Sequence, residues 1–180
     1  MTGDIEVVLI YGSARPGRFC DVVARWVTEE ILTYRGFSLS VIDPAEPYLA
    51  TLSERIAQAD AFIVVTPEYN HGYTAPLKSL IDSTYEQWHA KPVAFVSYGG
   101  VSGGLRAVEQ LRLVFAELHA VTLRDGVSFA NATNHFDAAG NLLEPNSARG
   151  ALKLTLARLR WWARALRTAR NAAPYKDCVT

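Results

Sequence analysis

The chain has 180 residues, 49% of them hydrophobic, and its 18 basic and 18 acidic residues give a formal net charge of zero. A neutral surface offers no long-range attraction to nucleic acid or to an anionic membrane, and no run of about 18 apolar residues is present to span a bilayer. Two cysteines without metal-ligand spacing, and the lack of a leader-like N-terminus, predict a cytoplasmic protein with one domain over residues 1–180.

Apolar runs alternate with helical patterns along the whole chain. The strands are predicted near residues 5–11, 37–42, 61–66, 92–98 and 121–129, and the helices near 18–34, 50–59, 75–88, 103–119 and 148–170. This alternation is typical of a parallel sheet with right-handed crossovers. We therefore expect an α/β fold, a doubly wound five-stranded sheet of order 2-1-3-4-5 with helices on both faces.

The first predicted strand runs into a loop rich in glycine and arginine, Gly12–Arg18, called the first loop below. It combines the N-terminal end of a helix with the hydroxyl of Ser13 and the guanidinium groups of Arg15 and Arg18, all of which favour an anion. The spacing matches neither the dinucleotide fingerprint nor the Walker loop. The sequence predicts that Ser13, Arg15 and Arg18 hold a terminal phosphate; the alternative is a surface turn with solvated arginines.

The third predicted strand is followed by Thr66–Gly72, the second loop, in which Pro67 ends the strand ladder. Tyr69 offers an aromatic face, while Glu68 and Asn70 offer hydrogen-bonding groups. Open α/β sheets bind ligands at this edge, so we expect a planar aromatic ligand here. An ordinary strand-to-helix loop is the alternative.

The fourth predicted strand ends at Ser97 and continues into Tyr98–Gly104, the third loop, with Gly99 and Gly100 at its start. Four glycines within six residues are costly in conformational entropy, so we expect them to let the backbone approach the edge of a flat ligand. The three loops together predict a pocket for a planar ring system that carries a phosphate.

Few side chains outside these loops carry a chemical signal. His71 adjoins the second loop and is a candidate proton donor near neutral pH. His89, His119 and His135 show neither metal-ligand nor triad spacing and are interpreted as structural. Cys20 follows the first loop, and we favour a small buried residue over a reactive thiol.

The last predicted helix is apolar on two sides. One stripe is expected to face the sheet, and it contains Leu152, Leu156, Leu159, Ala163 and Leu166. An opposite strip contains Leu154, Trp161 and Ala165, which should not face water in a monomer. Five arginines flank these strips: Arg158, Arg160, Arg164, Arg167 and Arg170. We interpret them as a solvated rim around a subunit contact, the alternative being a membrane or nucleic-acid surface.

These motifs, in this order, resemble the NADPH-dependent FMN reductase family of flavodoxin-like proteins, which includes quinone, azo-dye and chromate reductases. The matching segments are Gly12–Arg18, Thr66–Asn70, Leu77–Asp82, Lys91–Gly100, Gly103–Ala107 and Phe136–Gly140. The resemblance implies that Ser13, Arg15 and Arg18 bind the FMN phosphate. It also implies that Pro67, Glu68, Tyr69 and Asn70 line the isoalloxazine ring, and that Ser97, Tyr98, Gly99 and Gly100 close on it.

The resemblance further implies hydride transfer from NADPH or NADH to FMN and then to a small acceptor such as a quinone, free flavin or azo compound. A flavin-binding interaction protein or electron carrier, and a pathway-specific biosynthetic reductase, remain alternatives.

The family also implies a homodimer or tetramer whose pocket is completed by a neighbouring subunit. Candidate contacts are the strip with Trp161 and the helix Thr74–Trp88. The connection after the second strand, Val41–Leu49, is shorter than in the family and should leave the flavin more open.

Overall fold

A computed structural model describes residues 3–46 and 51–179, and in these residues five parallel strands form one sheet of order β2-β1-β3-β4-β5. The strands are β1 (Ile5–Tyr11), β2 (Phe37–Ile42), β3 (Ala61–Pro67), β4 (Pro92–Tyr98) and β5 (Val121–Phe129). The predicted strand order is confirmed. Prediction was accurate because β3 and β4 are buried on both faces and so appear as continuous apolar runs.

The helices cover both faces of the sheet. They are α1 (Cys20–Leu32), α2 (Leu52–Gln58), α3 (Ala75–Asp82), α4 (Leu105–Glu117) and α5 (Pro145–Ala172). Helices α1 and α5 enclose one core, which includes Val23, Trp26 and Leu156, while α2, α3 and α4 enclose the other. None of these helices, nor any other in the described ranges, combines the length and apolarity needed to cross a bilayer.

Helix α3 is shorter than the predicted range of 75–88. It ends at Asp82 because the hydroxyl and the amide of Ser83 both donate to the carbonyl of Leu80, at 2.7 and 3.3 Å. A separate 3-10 helix, Glu86–Trp88, follows. The Trp88 indole N–H still donates to the carbonyl of Ile81 at 3.2 Å, so Trp88 remains in the core as expected.

Helix α5 buries most of its predicted stripe, since Leu152, Leu156, Leu159 and Ala163 are buried while Leu166 is half-buried. The interpretation of all flanking arginines as a solvated rim is wrong for two of them. Arg167 and Arg170 pair with the buried carboxylate of Asp60, at 2.8 and 3.3 Å, whereas Arg158 pairs with Asp125 and stays half exposed.

The connection after β2 is described only in part. The backbone amides of Ala45 and Glu46 donate to the side chain and the carbonyl of Asp43, at 2.8 and 3.1 Å, which forms a turn directly after the strand. Residues 47–50 lie outside the described residues, so the short roof over the pocket stays a prediction.

Candidate functional site

The first, second and third loops lie next to each other at the carboxyl edge of the sheet, because β1, β3 and β4 are consecutive parallel neighbours. Direct contacts join them. The amide of Gly12 donates to the carbonyl of Val65 at 2.7 Å, and the amide of Glu68 donates to the carbonyl of Tyr98 at 3.1 Å. The three loops that the sequence identified therefore meet at one site.

In the first loop, Gly12 allows the chain to pass directly over β3. A Cβ added at this position would lie 2.6 Å from the carbonyl oxygen of Val65, a distance that no side chain tolerates. The loop then folds back so that the Ser13 hydroxyl lies 3.2 Å from the Tyr69 hydroxyl and accepts the amide of Arg15 at 3.3 Å. The guanidinium of Arg15 lies 6.0 Å from the centre of the Tyr69 ring.

The two arginines of the first loop occupy different environments. The guanidinium of Arg18 is paired with both Asp43 oxygens, donates to Asp21 at 2.7 Å, and also donates to the carbonyl of Ser13. Arg15 is exposed and has no carboxylate partner among residues 3–46 and 51–179. Arg15 is thus the cation that is available to an anion, whereas Arg18 secures the loop to the end of β2.

The Arg18–Asp43 pair perturbs both groups. Hydrogen bonds to Asp43 raise the pKa of Arg18 above its ordinary value. Burial alone would raise the pKa of Asp43, but the hydrogen bonds from Arg18 and from the amide of Ala45 outweigh it and lower that pKa. Both groups are therefore charged at neutral pH.

The second loop forms a tight turn with Asn70 and His71 at its tip. The amides of Tyr69 and Gly72 each donate to the carbonyl of the other, at 3.0 and 3.2 Å. Asn70 and His71 both have positive φ, 48° and 74°, as in a two-residue type I′ turn. Asparagine and histidine are, with aspartate, the non-glycine residues found most often in this conformation. The side-chain amide of Gln110 donates to the His71 carbonyl at 3.0 Å and holds the tip, where both side chains are exposed.

The carboxylate of Glu68 points toward helix α4. It accepts the amide and the guanidinium of Arg106, at 3.1 and 2.9 Å, and its side chain is only 6% exposed. Burial acts to raise the pKa of Glu68, but hydrogen bonds from Ser102 and Arg106 lower it. Contrary to the expectation from sequence, this carboxylate connects the second loop to α4 rather than facing the cavity described below.

The residues predicted at the end of β4 and in the third loop differ in their surroundings. Ser97 is buried and donates to the carbonyl of Gly103 at 2.8 Å, and the buried Tyr98 ring lies 6.0 Å from that of Phe19 in the α1–α5 core. These two side chains therefore support the loop and do not line the cavity described below. A Cβ added at Gly100, in contrast, would meet no atom of the described residues within 4 Å apart from its chain neighbours, which leaves that position open to a ligand.

A cavity of about 460 Å³ lies between the first loop, the second loop and α3. It is lined by Ser13, Ala14, Arg15, Tyr69, Asn70, Tyr73, Thr74, Ala75 and Pro76. Four of these residues are among the candidates named from the sequence, and the other five are not: Ala14, Tyr73, Thr74, Ala75 and Pro76. Thr74 accepts the Leu77 amide at 3.3 Å as the N-cap of α3 and donates to the Gly12 carbonyl at 2.6 Å. The Thr74-Ala75-Pro76 sequence is a helix-start signal, and it brings the N-terminus of α3 to this cavity.

The remaining titratable groups behave as structural elements. Burial raises the pKa of the Cys20 thiol to about 11, and Cys20 is fully buried, as predicted. The His119 ring lies 3.0 Å from the Tyr175 hydroxyl, and the His135 ring lies 2.9 Å from the Ala130 carbonyl. In the part of the chain that the structure describes, no cluster of ligating side chains is arranged to hold a metal ion.

Comparison with known proteins gives a consistent result. A family model described as NADPH-dependent FMN reductase matches residues 5–134. An NAD(P)H-dependent FMN reductase of Pseudomonas aeruginosa is 32% identical over 186 aligned residues, which cover 93% of this chain and 100% of the relative. An NAD(P)H-dependent FMN reductase of Schizosaccharomyces pombe is 36% identical over 120 residues, and the alignment spans 55% of this chain and 60% of the relative's length.

A solved structure shares the fold. The FerB flavoenzyme, an NAD(P)H:(acceptor) oxidoreductase from Paracoccus denitrificans, superposes with a TM-score of 0.70 over 89% of this chain and 98% of its own. The sequence identity is 19%, so this similarity establishes the flavodoxin-like fold alone.

Proposed function

Because the chain belongs to the NADPH-dependent FMN reductase family, we propose that it is an FMN-dependent oxidoreductase that uses NADPH or NADH. We further propose that it acts as one domain over residues 1–180, in the cytoplasm, on a small acceptor such as a quinone, free flavin or azo compound. The observation that carries the proposal is the cavity between the first and second loops, where Arg15, the hydroxyl of Ser13 and the N-terminus of α3 converge.

The residues around the cavity fit FMN at both of its ends. A phosphate dianion suits Arg15, the Ser13 hydroxyl and the positive end of α3, since each favours negative charge. A flat ring suits the space at Gly100, where an added Cβ has open space among the described residues. The second loop is joined to this side of the site by the bond from the Glu68 amide to the carbonyl of Tyr98, two residues before Gly100.

When bound, FMN supplies the hydride acceptance and electron delivery that the protein lacks. The contribution of this chain is to bind and position. Arg15 and Ser13 fix the phosphate, and Gln110 and Arg106 of α4 hold the second loop in place through the His71 carbonyl and the Glu68 carboxylate. His71, exposed at the tip of the turn, is the candidate proton donor to the reduced acceptor.

Steady-state oxidation of NADPH by a quinone tests this function, with Arg15→Ala as the site variant. A charge-assisted hydrogen bond contributes about 1.5–3 kcal/mol, so the apparent affinity for FMN should fall by about tenfold to a hundredfold. Arg124→Ala is the matched control because Arg124 is an exposed arginine on β5. FMN binding without nicotinamide turnover would instead favour an electron carrier, and turnover of only one biosynthetic compound would favour a pathway-specific reductase.

We also propose that the working unit is a homodimer or tetramer, with a contact at α3. This helix adjoins the cavity through Pro76 and Thr74, and Tyr85 just beyond it is half exposed. A neighbouring subunit on this surface would complete the pocket. Light scattering during size-exclusion chromatography should show an oligomer that Tyr85→Glu weakens; a fully active monomer at micromolar concentration would contradict the shared pocket.

A further inference from the structure

The outward surface of α5 has a charge pattern that neither the fold nor the cavity explains. Helix α5 carries seven basic residues and no acidic one: Arg149, Lys153, Arg158, Arg160, Arg164, Arg167 and Arg170. Four of them are neutralised by acidic residues elsewhere, because Arg149 pairs with Glu30 at 2.5 Å and the other three pair with Asp125 or Asp60.

The three remaining cations share one edge of the helix. At about 100° per residue, Lys153, Arg160 and Arg164 fall within an arc of about 40°. Within residues 3–46 and 51–179 none of them has a carboxylate partner, and Arg160 makes only a long bond of 3.4 Å to the Arg35 carbonyl. They form an unneutralised row about 16 Å long, at about 1.5 Å per residue.

An apolar edge runs beside this row. Trp161 is 63% exposed and Leu154 is 46% exposed, on the side of α5 opposite the buried stripe. A groove of about 530 Å³ follows the same side and is lined by Ala157, Arg160, Trp161, Arg164, Ala165 and Thr168. The row and this apolar edge together are called the α5 face below. An exposed tryptophan beside a groove is typical of a surface that contacts a binding partner.

A second copy of the chain does not suit the α5 face. Any two-fold contact across it would bring two rows, six cations in all, into one interface without an acidic residue from either helix, and like charges oppose association. A nucleic acid would use the row but leave Trp161 and Leu154 uncovered. An interfacial membrane helix needs a broad apolar side, and in α5 that side is buried against the sheet.

We propose that the α5 face binds an acidic amphipathic helix of a partner protein. Such a helix complements both the basic row and the apolar edge of the α5 face. Its carboxylates would lie opposite Lys153, Arg160 and Arg164, and its apolar row would pack against Trp161 and Leu154. The distance from Lys153 to Thr168 corresponds to about four turns of the partner helix. This inference is independent of the proposed flavin chemistry, because the α5 face and the cavity do not share a residue.

Calorimetry with a synthetic helical peptide tests the proposal. The peptide has 18 residues, with glutamates on one row and leucines on the adjacent row, and its counterpart carries lysine in place of each glutamate. The acidic peptide should bind with a dissociation constant in the range of about 1–100 μM, and more weakly as salt is raised. Trp161→Ser should weaken binding by about thirtyfold, and Arg160→Glu combined with Arg164→Glu by at least about tenfold.

Two control variants match these changes elsewhere on the surface. Leu113→Ser removes an apolar side chain that is 75% exposed on α4, and Arg124→Glu reverses a side chain that is 92% exposed on β5. Neither should change peptide binding, and all variants should retain wild-type FMN binding. The proposal is overturned if the acidic peptide does not bind or the lysine peptide binds equally well. Tighter binding to phosphatidylserine vesicles or duplex DNA, or an oligomer that Trp161→Ser dissociates, would also overturn it.

Discussion

Arg18 and Arg15 show how residues of one type, three positions apart in a single loop, take different roles. The sequence assigns both to a phosphate because both follow a strand and precede a helix. The structure separates them, since Asp43 lies at the end of the neighbouring strand β2 and engages Arg18. No local pattern links residues 18 and 43, so this pairing could not be predicted from the sequence.

The Arg18–Asp43 pair predicts a specific dependence of stability on pH. Because the pKa of Asp43 is lowered in the folded protein, its stabilisation is complete above the pKa of an unfolded aspartate, about 3.9. It is lost as the pH falls through the folded-state pKa. Asp43→Asn should therefore reduce the free energy of unfolding by about 2 kcal/mol at pH 7. Urea denaturation at a series of pH values should show this difference shrinking below about pH 4; a constant difference would exclude the ion pair as its source.

A substitution at Gly100 distinguishes a clash with the ligand from a defect in folding. Since an added Cβ has open space in the part of the chain that the structure describes, Gly100→Ala should leave the melting temperature nearly unchanged while FMN affinity and turnover fall. Gly150→Ala is the matched control, because Gly150 also has open space but lies on α5, away from the cavity. FMN titration followed by flavin fluorescence measures the affinity. Unchanged affinity in Gly100→Ala would show that the third loop does not contact the flavin.

At the scale of elements, the Glu68–Arg106 contact connects the second loop to α4. It is expected to hold the turn at Asn70 and His71 against the flavin, so Glu68→Gln and Arg106→Ala should each lower FMN affinity several-fold. A double-mutant cycle should give a coupling energy of about 1 kcal/mol, as is usual for residues in contact. The Glu109–Arg112 pair on the same helix, in which Glu109 is exposed and Arg112 is half-buried, is the control and should show no effect on FMN. Additive effects of the two substitutions would rule out this role.

The boundaries of elements and the direction of side chains were predicted less well than the elements themselves. The apolar pattern of α3 continues in the sequence to Trp88. The helix itself ends earlier because Ser83 bonds to the preceding turn, which periodicity does not reveal. Ser97 and Tyr98 stand at the end of β4 beside the third loop, yet both are buried, because β4 is covered on both faces. In such a strand every side chain is enclosed, so proximity in sequence to the site does not bring it into the cavity.

At the scale of the whole molecule, the fold was predictable because β1, β3 and β4 are largely buried apolar runs, and each of them ends in a polar or glycine-rich loop. Parallel connectivity then places the ends of β1, β3 and β4 at one edge without further information. The cavity wall formed by Tyr73, Thr74 and Pro76 was not predicted, since it depends on where α3 begins relative to the first loop. Its location follows from packing and from the bond between Thr74 and Gly12.

The measurement that tests the central claim most directly is anaerobic mixing of the FMN-loaded protein with NADPH, followed by absorbance in a stopped-flow instrument. We predict that the flavin absorption band bleaches on mixing and returns when a quinone is added, with Arg124→Ala behaving like the wild type. The FMN released from the protein should be identifiable by chromatography. The account would be contradicted if the protein does not retain FMN, or if the bound flavin stays oxidised after NADPH is added.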